Sequence, residues 1–263
     1  MWAILNGTVI NAITVALGSL VGIGFSHRLP DRYQRLVLTA LGLVTVTLGV
    51  DAGVVGFNDT VARYRPTGDA GRTYGPTLAM VMIGSLIVGC LIGSALRLHD
   101  RVEALGGAIH KRFGSGDAAR FAEGFLTASV IFCVGPLTLL GCFENGAHGD
   151  AGLLMIKSLL DGFCSMALAA GLGWGVFFSV ATVLGFQGLL SILAHFFANS
   201  IPDLSQQLMN AVGGILLIAT ALVLLDIKRI PVADMLPGLF LPPLAVAVIE
   251  SLWPATLITT PGS

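Results

Sequence analysis

The chain has 263 residues, of which 55% are hydrophobic and 11% are charged, with 14 Lys and Arg against 15 Asp and Glu. The charged share is less than half of the roughly 25% found in soluble domains, which is too little to cover the surface of a soluble globule. The net charge of −1 provides no broad basic surface for nucleic-acid phosphates. The composition therefore argues against a soluble enzyme, a disordered regulator and a nucleic-acid-binding protein.

Long stretches without charge predict an all-α, polytopic bundle of transmembrane helices. Crossing a bilayer takes ~20 mostly apolar residues, and a glycine content of 34 is typical of closely packed membrane helices. The uncharged stretch 162–202 is too long for one helix and is divided by a glycine-rich turn signal at 171–175. We expect about eight spans in a single transmembrane domain, 1–263. The predicted spans are about 2–25, 34–57, 76–97, 121–143, 151–171, 175–197, 206–226 and 234–254.

The distribution of Lys and Arg predicts the orientation of the chain. With the N-terminus outside, ten of these residues lie in cytoplasmic loops and three in outer loops. Because cytoplasmic loops carry the excess of basic residues, both termini are predicted to lie outside the cytoplasm. Residues 58–75 then form an outer loop, and residues 98–118 form an amphipathic helix on the cytoplasmic membrane surface. A solvated linker helix is the alternative for 98–118.

Two segments of the chain are similar enough to predict an internal repeat. Leu-Pro-Asp at 29–31 precedes Ala-Leu-Gly at 40–42, and Ile-Pro-Asp at 201–203 precedes Ala-Val-Gly at 211–213. The copies are five spans apart, which would give them opposite orientations, as in the inverted repeats of many secondary transporters. The alternative is a chance match, since Pro-Asp is also an ordinary helix-start signal.

The predicted fourth span contains Gly135 and Pro136 just past its middle. Proline removes one backbone donor and disturbs the carbonyl one turn earlier, so we expect this helix to be broken or kinked. Carbonyls freed at membrane depth could coordinate a cation if they line a wet cavity. A simple proline kink in a packed helix is the alternative. In the stretch that follows, 144–150, Glu144, Asn145, His148 and Asp150 are predicted to lie in a solvated loop, the alternative being an acidic outer mouth.

The predicted fifth span contains the charged residues Lys157 and Asp161, with Ser158 beside them. Residues four apart share a helix face, so the two charged side chains can reach each other. An ionisable group at mid-membrane costs at least ~2.5–3.5 kcal/mol and is a functional hypothesis by default. We therefore predict a titratable or ion-binding pair, the alternative being an ion pair that only determines helix packing.

Amides and hydroxyls occur in several of the other predicted spans. Asn11 in the first span and Gln187 in the sixth are the amides that we include in the candidate site. Such groups seek partners across helices in a membrane. Each is interpreted either as an interhelical contact or as part of the cavity around the charged pair. The remaining members of this group are Asn6, Thr8, Thr14 and Asn210.

Motifs for catalysis and metal binding are absent from the sequence. The four cysteines lie inside apolar spans and form no CxxC pair, and no Walker-type loop, HExxH or GxSxG sequence occurs. We therefore predict no metal, no cofactor and no enzymatic activity.

Several strings resemble a known family. Phe-Cys-Val-Gly-Pro at 132–136, Gly-Asp at 149–150 and Lys-Ser-Leu-Leu-Asp-Gly at 157–162 are similar to the bacterial inner-membrane family of unknown function typified by YqgA and YdfK. Further matching pieces extend from residue 7 to about residue 240. The 58–75 loop looks longer than the family's connection, and Asp226 replaces a neutral residue. The resemblance implies a multi-pass protein of the bacterial inner membrane, described as a transport protein, and supplies no substrate.

These observations predict a small secondary transporter or channel for an ion or small solute. In this hypothesis Asp161 binds a monovalent cation or a proton, Lys157 tunes its affinity, and Gly135, Pro136, Ser158, Asn11 and Gln187 complete the site. The alternative function is a non-transporting membrane scaffold or assembly protein. The expected partners are the lipid bilayer and a further copy of the chain in a homo-oligomer, with no nucleic acid.

Overall fold

The computed structural model describes residues 2–24, 31–65, 70–101, 117–133, 136–197 and 201–252. All regular structure within these ranges is helical, which confirms the predicted all-α class. A π-helical turn, Asp51–Val55, joins α2 to α3, and a 3-10 helix, Leu236–Phe240, lies between α10 and α11. The α-helices are α1 (Trp2–Gly24), α2 (Asp31–Val50), α3 (Gly56–Tyr64), α4 (Ala70–Ala95), α5 (Asp117–Cys133), α6 (Pro136–His148), α7 (Gly152–Leu172), α8 (Trp174–Phe197), α9 (Asp203–Leu224), α10 (Val232–Met235) and α11 (Pro242–Leu252).

The predicted count of eight spans is not confirmed. Among the described residues, six helical stretches are long and apolar enough to cross a membrane, and a seventh results if the bent pair α5–α6 is one span. The predicted second span, 34–57, is not among them. Its uncharged part, 36–50, covers only about 22 Å of helix, which is shorter than the ~30 Å hydrocarbon core. The six stretches are Trp2–Gly24, Tyr74–Ala95, Gly152–Leu172, Trp174–Phe197, Asp203–Leu224 and Val232–Ser251.

Two compact units are formed by segments that alternate along the chain. The first unit comprises residues 1–41 and 100–199, and the second comprises 42–99 and 200–263. Among the described helices, α1 and α5–α8 belong to the first unit, whereas α3, α4 and α9–α11 belong to the second. That both units form one transmembrane domain stays a prediction.

Helices of the first unit approach each other closely at glycines. On α1, Gly18 and Gly22 lie against the backbone carbonyls of Gly162 and Met166 of α7, where any side chain would overlap the carbonyl. Gly175 of α8 lies in the same way against the backbone of α5. Such contacts let polar side chains on facing helices reach each other. The apolar core of this unit includes Ala12, Val15, Ala128, Phe132, Ala169, Val176 and Val183.

The second unit packs by the same means. Gly214 of α9 lies against the backbone of Gly53 in the π-helical turn, and Gly89 of α4 lies against Gly238 of the 3-10 helix. Its apolar core contains Tyr64, Tyr74, Leu78, Val81, Leu204, Leu208 and Val246.

Residues 29 and 30, on which the predicted repeat partly depends, lie outside the described residues, and the inverted repeat stays a prediction.

The two predicted extramembrane segments are described only in part. Residues 58–64 belong to α3 and residues 70–75 to α4, so the expected outer loop is mostly helical where it is described. A polar connection between two spans can be helical. The position of residues 58–75 outside the cytoplasm therefore stays a prediction. Within 98–118, residues 98–101 are helical and 117–118 begin α5, while the rest lies outside the described residues.

Candidate functional site

A buried ion pair lies on α7 of the first unit. Lys157 Nζ donates a hydrogen bond to Asp161 Oδ2, so the contact expected from the spacing of four residues is present. Lys157 is 4% exposed and Asp161 is 7% exposed, although charged residues are rarely buried in proteins. The pair lies on the face of α7 that packs into the first unit, together with Leu154, Ser158 and Ser165.

Asn11 of α1 joins this carboxylate to α8. Asn11 Nδ2 lies 2.9 Å from Asp161 Oδ2 and 3.1 Å from Gln187 Oε1. An ionised carboxylate can only accept hydrogen bonds, so the amide nitrogen of Asn11, and not its oxygen, must face Asp161. Both predicted amides are therefore in the same network as the charged pair, and Asn11 and Gln187 are completely buried.

The network continues to the break between α5 and α6. Gln187 Nε2 lies 3.3 Å from the backbone oxygen of Phe132, and Thr138 Oγ1 lies 3.0 Å from the same oxygen. Phe132 is four residues before Pro136, which has no N–H to donate to this carbonyl. A side-chain amide and a hydroxyl thus replace the helical hydrogen bond that proline removes.

The predicted break of the fourth span is present in the structure. Helices α5 and α6 are bent by 59° relative to each other. Pro136 begins α6, a position where proline is favoured because the first N–H groups of a helix have no helical acceptor. Gly135 lies outside the described residues. The expectation that a freed carbonyl is open to a cation is wrong for Phe132, since its oxygen already accepts two hydrogen bonds.

Ser158 is buried but is not joined to the network. Its hydroxyl donates to the backbone oxygen of Leu154 at 2.6 Å, within α7. Thr14 of α1 likewise bonds to its own helix, through the carbonyls of Ile10 and Asn11. These hydroxyls have used their single donor on the preceding turn of their own helix, and no contact with the charged pair is recorded for them. The structure therefore does not bring Ser158 to the charged pair.

Sequence reasoning did not include Phe132, Thr138 or Asn145 in the candidate site, although each takes part in hydrogen bonds between helices or across the helix break. A backbone carbonyl has no side-chain signal, but the position four residues before Pro136 identifies Phe132, and Thr138 lies two residues after this proline. The prediction that 144–150 is a solvated loop is wrong for 144–148, because α6 continues to His148. Asn145 is completely buried and donates to Ala3 O and Asn6 Oδ1, each at 2.9 Å.

The arrangement provides one carboxylate, held by donors from two helices. Asp161 Oδ2 accepts from Lys157 of α7 and from Asn11 of α1, while Gln187 of α8 orients Asn11. Such a group can bind a cation or a proton, and charge-assisted hydrogen bonds hold it in place. Among the described residues, no cluster of three or more His, Cys, Asp or Glu side chains is arranged to hold a metal ion.

Several long apolar helices, a low charge content and a buried polar network define a polytopic α-helical integral membrane protein. The chain belongs to the family described as "Protein of unknown function (DUF554)", whose sequence profile matches residues 6–247. This result confirms the resemblance found from the sequence.

Two relatives align with nearly the whole chain. The "Uncharacterized membrane protein YdfK" of Bacillus subtilis (strain 168) is 30% identical over 246 residues, which cover 93% of this chain and 97% of the relative. The "Uncharacterized protein YqgA" of Escherichia coli (strain K12) is 29% identical over 242 residues, covering 89% and 93%. No solved structure matches the chain significantly.

Proposed function

We propose that this protein is a small secondary transporter or channel for an ion or small solute, and not an enzyme. It lies in the bacterial inner membrane with both termini in the periplasm, as its Lys and Arg distribution indicates. Asp161 binds a monovalent cation or a proton, and Lys157 tunes its affinity. The single observation that supports this proposal most is the buried carboxylate at the meeting point of α1, α7 and α8, joined through Gln187 to a broken helix.

The cost of this arrangement supports a role beyond packing. A buried ion pair is often no more stabilising than apolar residues of the same volume, because removing both charges from water is expensive. Helix association in this unit already has glycine contacts and an apolar core, so it does not require Lys157 and Asp161. Ionisable residues inside membranes are characteristic of substrate and ion pathways.

Transport by purified protein tests the proposal. The protein is reconstituted in liposomes that contain the pH indicator pyranine, and gradients of Na⁺, K⁺ and Li⁺ are imposed in turn. Ion and proton fluxes are followed with a cation-sensitive dye and with pyranine. We expect Asp161→Asn to lower the flux at least tenfold, because the amide keeps the shape of the side chain and removes its negative charge.

The matched control is Asp59→Asn, which removes a carboxylate from an exposed residue of α3 in the second unit, outside the network. This control should keep the full flux. Wild-type flux in folded Asp161→Asn protein would contradict the assignment of Asp161.

One observation favours the alternative of a non-transporting scaffold. Gln187 and Thr138 both donate to Phe132 O, so part of the network stabilises a helix break. For a scaffold, the double variant Lys157→Met with Asp161→Leu should keep its stability and its cellular phenotype, and the wild type should carry no flux under any gradient. Loss of the phenotype in a stable double variant would exclude this alternative.

A further inference from the structure

Five buried side-chain oxygens of the first unit lack ordinary hydrogen-bond partners among the described residues. One of them, Ser19 Oγ, lies about two turns beyond Asn11 on α1, away from Asn145, and the other four lie close to Asn11, Gln187 and α6. Thr8, Asn11, Asn145 and Ser191 are each at most 1% exposed. Thr8 Oγ1, Asn11 Oδ1 and Asn145 Oδ1 have no partner in this part of the chain, and Ser191 Oγ has beside it only the Cys142 thiol, a weak partner. Buried polar groups are normally satisfied by protein or water, so each of these oxygens requires an explanation.

A 180° flip of the side-chain amide of Asn11 or Asn145 would not give its oxygen a hydrogen-bond donor. Asn145 Nδ2 donates both its hydrogens, to Ala3 O and to Asn6 Oδ1. Asn11 Nδ2 does the same, to Asp161 and Gln187. All the recipients are oxygens that accept in these contacts, so reversing either amide would place oxygen against oxygen. Within the described ranges, the two Oδ1 atoms are therefore acceptors without a donor.

The residues that carry the four oxygens are neighbours on α1, α6 and α8, a succession that we call the route. Thr8 is one turn before Asn11 on α1, and Ser191 is one turn after Gln187 on α8, the residue that Asn11 contacts. Asn145 of α6 lies beside α1, where a side chain at Gly7 would come within 3.1 Å of its Oδ1. Its neighbour Gly146 lies against the backbone of Ser191. Asn6, which bonds to Asn145, lies about 7.5 Å before Asn11 along the axis of α1.

The chemistry of this route favours positive charge. Two of its atoms are amide oxygens that can only accept, and two are hydroxyls that can accept and donate. Asn11 and Asn145, the two amides whose oxygens are unpaired, have already donated both of their N–H groups. Oxygen ligands of this kind suit hard cations and water, and water enters a buried site that offers it two to four polar partners.

We propose that these four oxygens line a narrow hydrated path by which a small cation or a proton reaches Asp161 from the end of the first unit that carries Asn145. This inference rests on the proposed function and adds the route and the charge of the transported species. The orientation predicted from Lys and Arg places this end outside the cytoplasm.

Cysteine accessibility to Ag⁺, a small monovalent cation, tests the path. Thr8→Cys and Ser191→Cys are made one at a time in a full-length chain whose native Cys90, Cys133, Cys142 and Cys164 are replaced by Ala. Ag⁺ replaces the thiol proton to form a silver thiolate and release H⁺, and thiols that escape are counted with a maleimide after unfolding in detergent. Ag⁺ is added to spheroplasts, which expose the outer face, and to inverted vesicles, which expose the cytoplasmic face.

The matched control is Ser179→Cys, which lies on the same helix as Ser191. Ser179 is equally buried, but its hydroxyl bonds to Val176 O at 2.6 Å and it belongs to no row of unpaired oxygens. We expect Thr8→Cys and Ser191→Cys to react with outside Ag⁺ at least ten times faster than the control. The anion Au(CN)₂⁻ should not show this preference.

Equal rates for path and control cysteines would overturn the path, and reaction from the cytoplasmic face alone would overturn its direction. Faster reaction with the anion would overturn the predicted charge.

Radiolytic labelling of the wild type, which modifies side chains beside bound water, gives a second measurement without cysteine replacement. Leu154, fully buried against Gly7, should be labelled more than the equally buried Leu216 of the second unit. A hydrated path with full flux in Asp161→Asn would contradict the proposed site alone.

Discussion

The two units of the chain use the same packing and differ in where they keep charge. Both bring helices together at glycines, and both contain an apolar core. The first unit buries Lys157 and Asp161 in a network that joins α1, α7, α8 and the α5–α6 break. In the described part of the second unit, no Asp, Glu, Lys or Arg is buried, and its largest buried polar side chains are tyrosines. Packing by glycine contacts and an apolar core thus requires no buried charge. For this reason we place the proposed ion-binding site in the first unit.

The largest expected effect comes from removing one member of the ion pair. Asp161→Leu leaves the Lys157 ammonium buried without its carboxylate and should lower the free energy of unfolding by about 3–5 kcal/mol. Adding Lys157→Met should restore most of the loss, because an apolar pair of similar volume needs no desolvation. Unfolding in mild detergent with increasing denaturant measures both. If the single variant were as stable as the wild type, the buried pair would not be formed.

Glycine contacts should be equally sensitive in the two units. Gly18→Ala places a methyl group against the α7 backbone, and Gly89→Ala places one against the 3-10 helix. Each helix must move to make room, and overpacking of this kind costs about 1–3 kcal/mol. Gly84→Ala is the control on α4, since open space surrounds that position. A loss in one unit only would show that the shared packing mode does not hold.

Gln187 should couple the carboxylate to the helix break. Gln187→Leu removes a donor from Phe132 O and an acceptor from Asn11, and should cost about 1–2 kcal/mol of stability. Thr138→Val should cost about 1 kcal/mol, since it removes the other donor to this carbonyl. The double variant should lose more than the sum, because Phe132 O is then left with neither donor. Strict additivity in this double-mutant cycle would mean that the two side chains do not share the acceptor.

What could be predicted from the sequence depended on how local the signal is. The Lys157–Asp161 contact follows from helix periodicity, and the break follows from Pro136, so both were predicted and are present. Which helices are neighbours has no local signal, and the sequence placed Asn11 and Gln187 near the site only as members of a polar group. The acidic residues around Asn145 indicate a loop, yet α6 continues through it. The position four residues before Pro136 indicates that the Phe132 carbonyl loses its helical donor, but that Gln187 and Thr138 replace this donor has no local signal.

The smallest expected effect contrasts one hydroxyl in each unit. Tyr74 of the second unit is 1% exposed, and its hydroxyl has no partner among the described residues, whereas the Thr138 hydroxyl of the first unit is bonded to Phe132 O. Tyr74→Phe removes a buried oxygen without breaking a hydrogen bond, so it should leave stability unchanged or raise it by up to about 1 kcal/mol. Thr138→Val should have the opposite sign, and denaturant unfolding of both variants measures the difference. Destabilisation by Tyr74→Phe as large as that by Thr138→Val would mean that the second unit also uses buried polar groups for structure, and that the two units differ in charge alone.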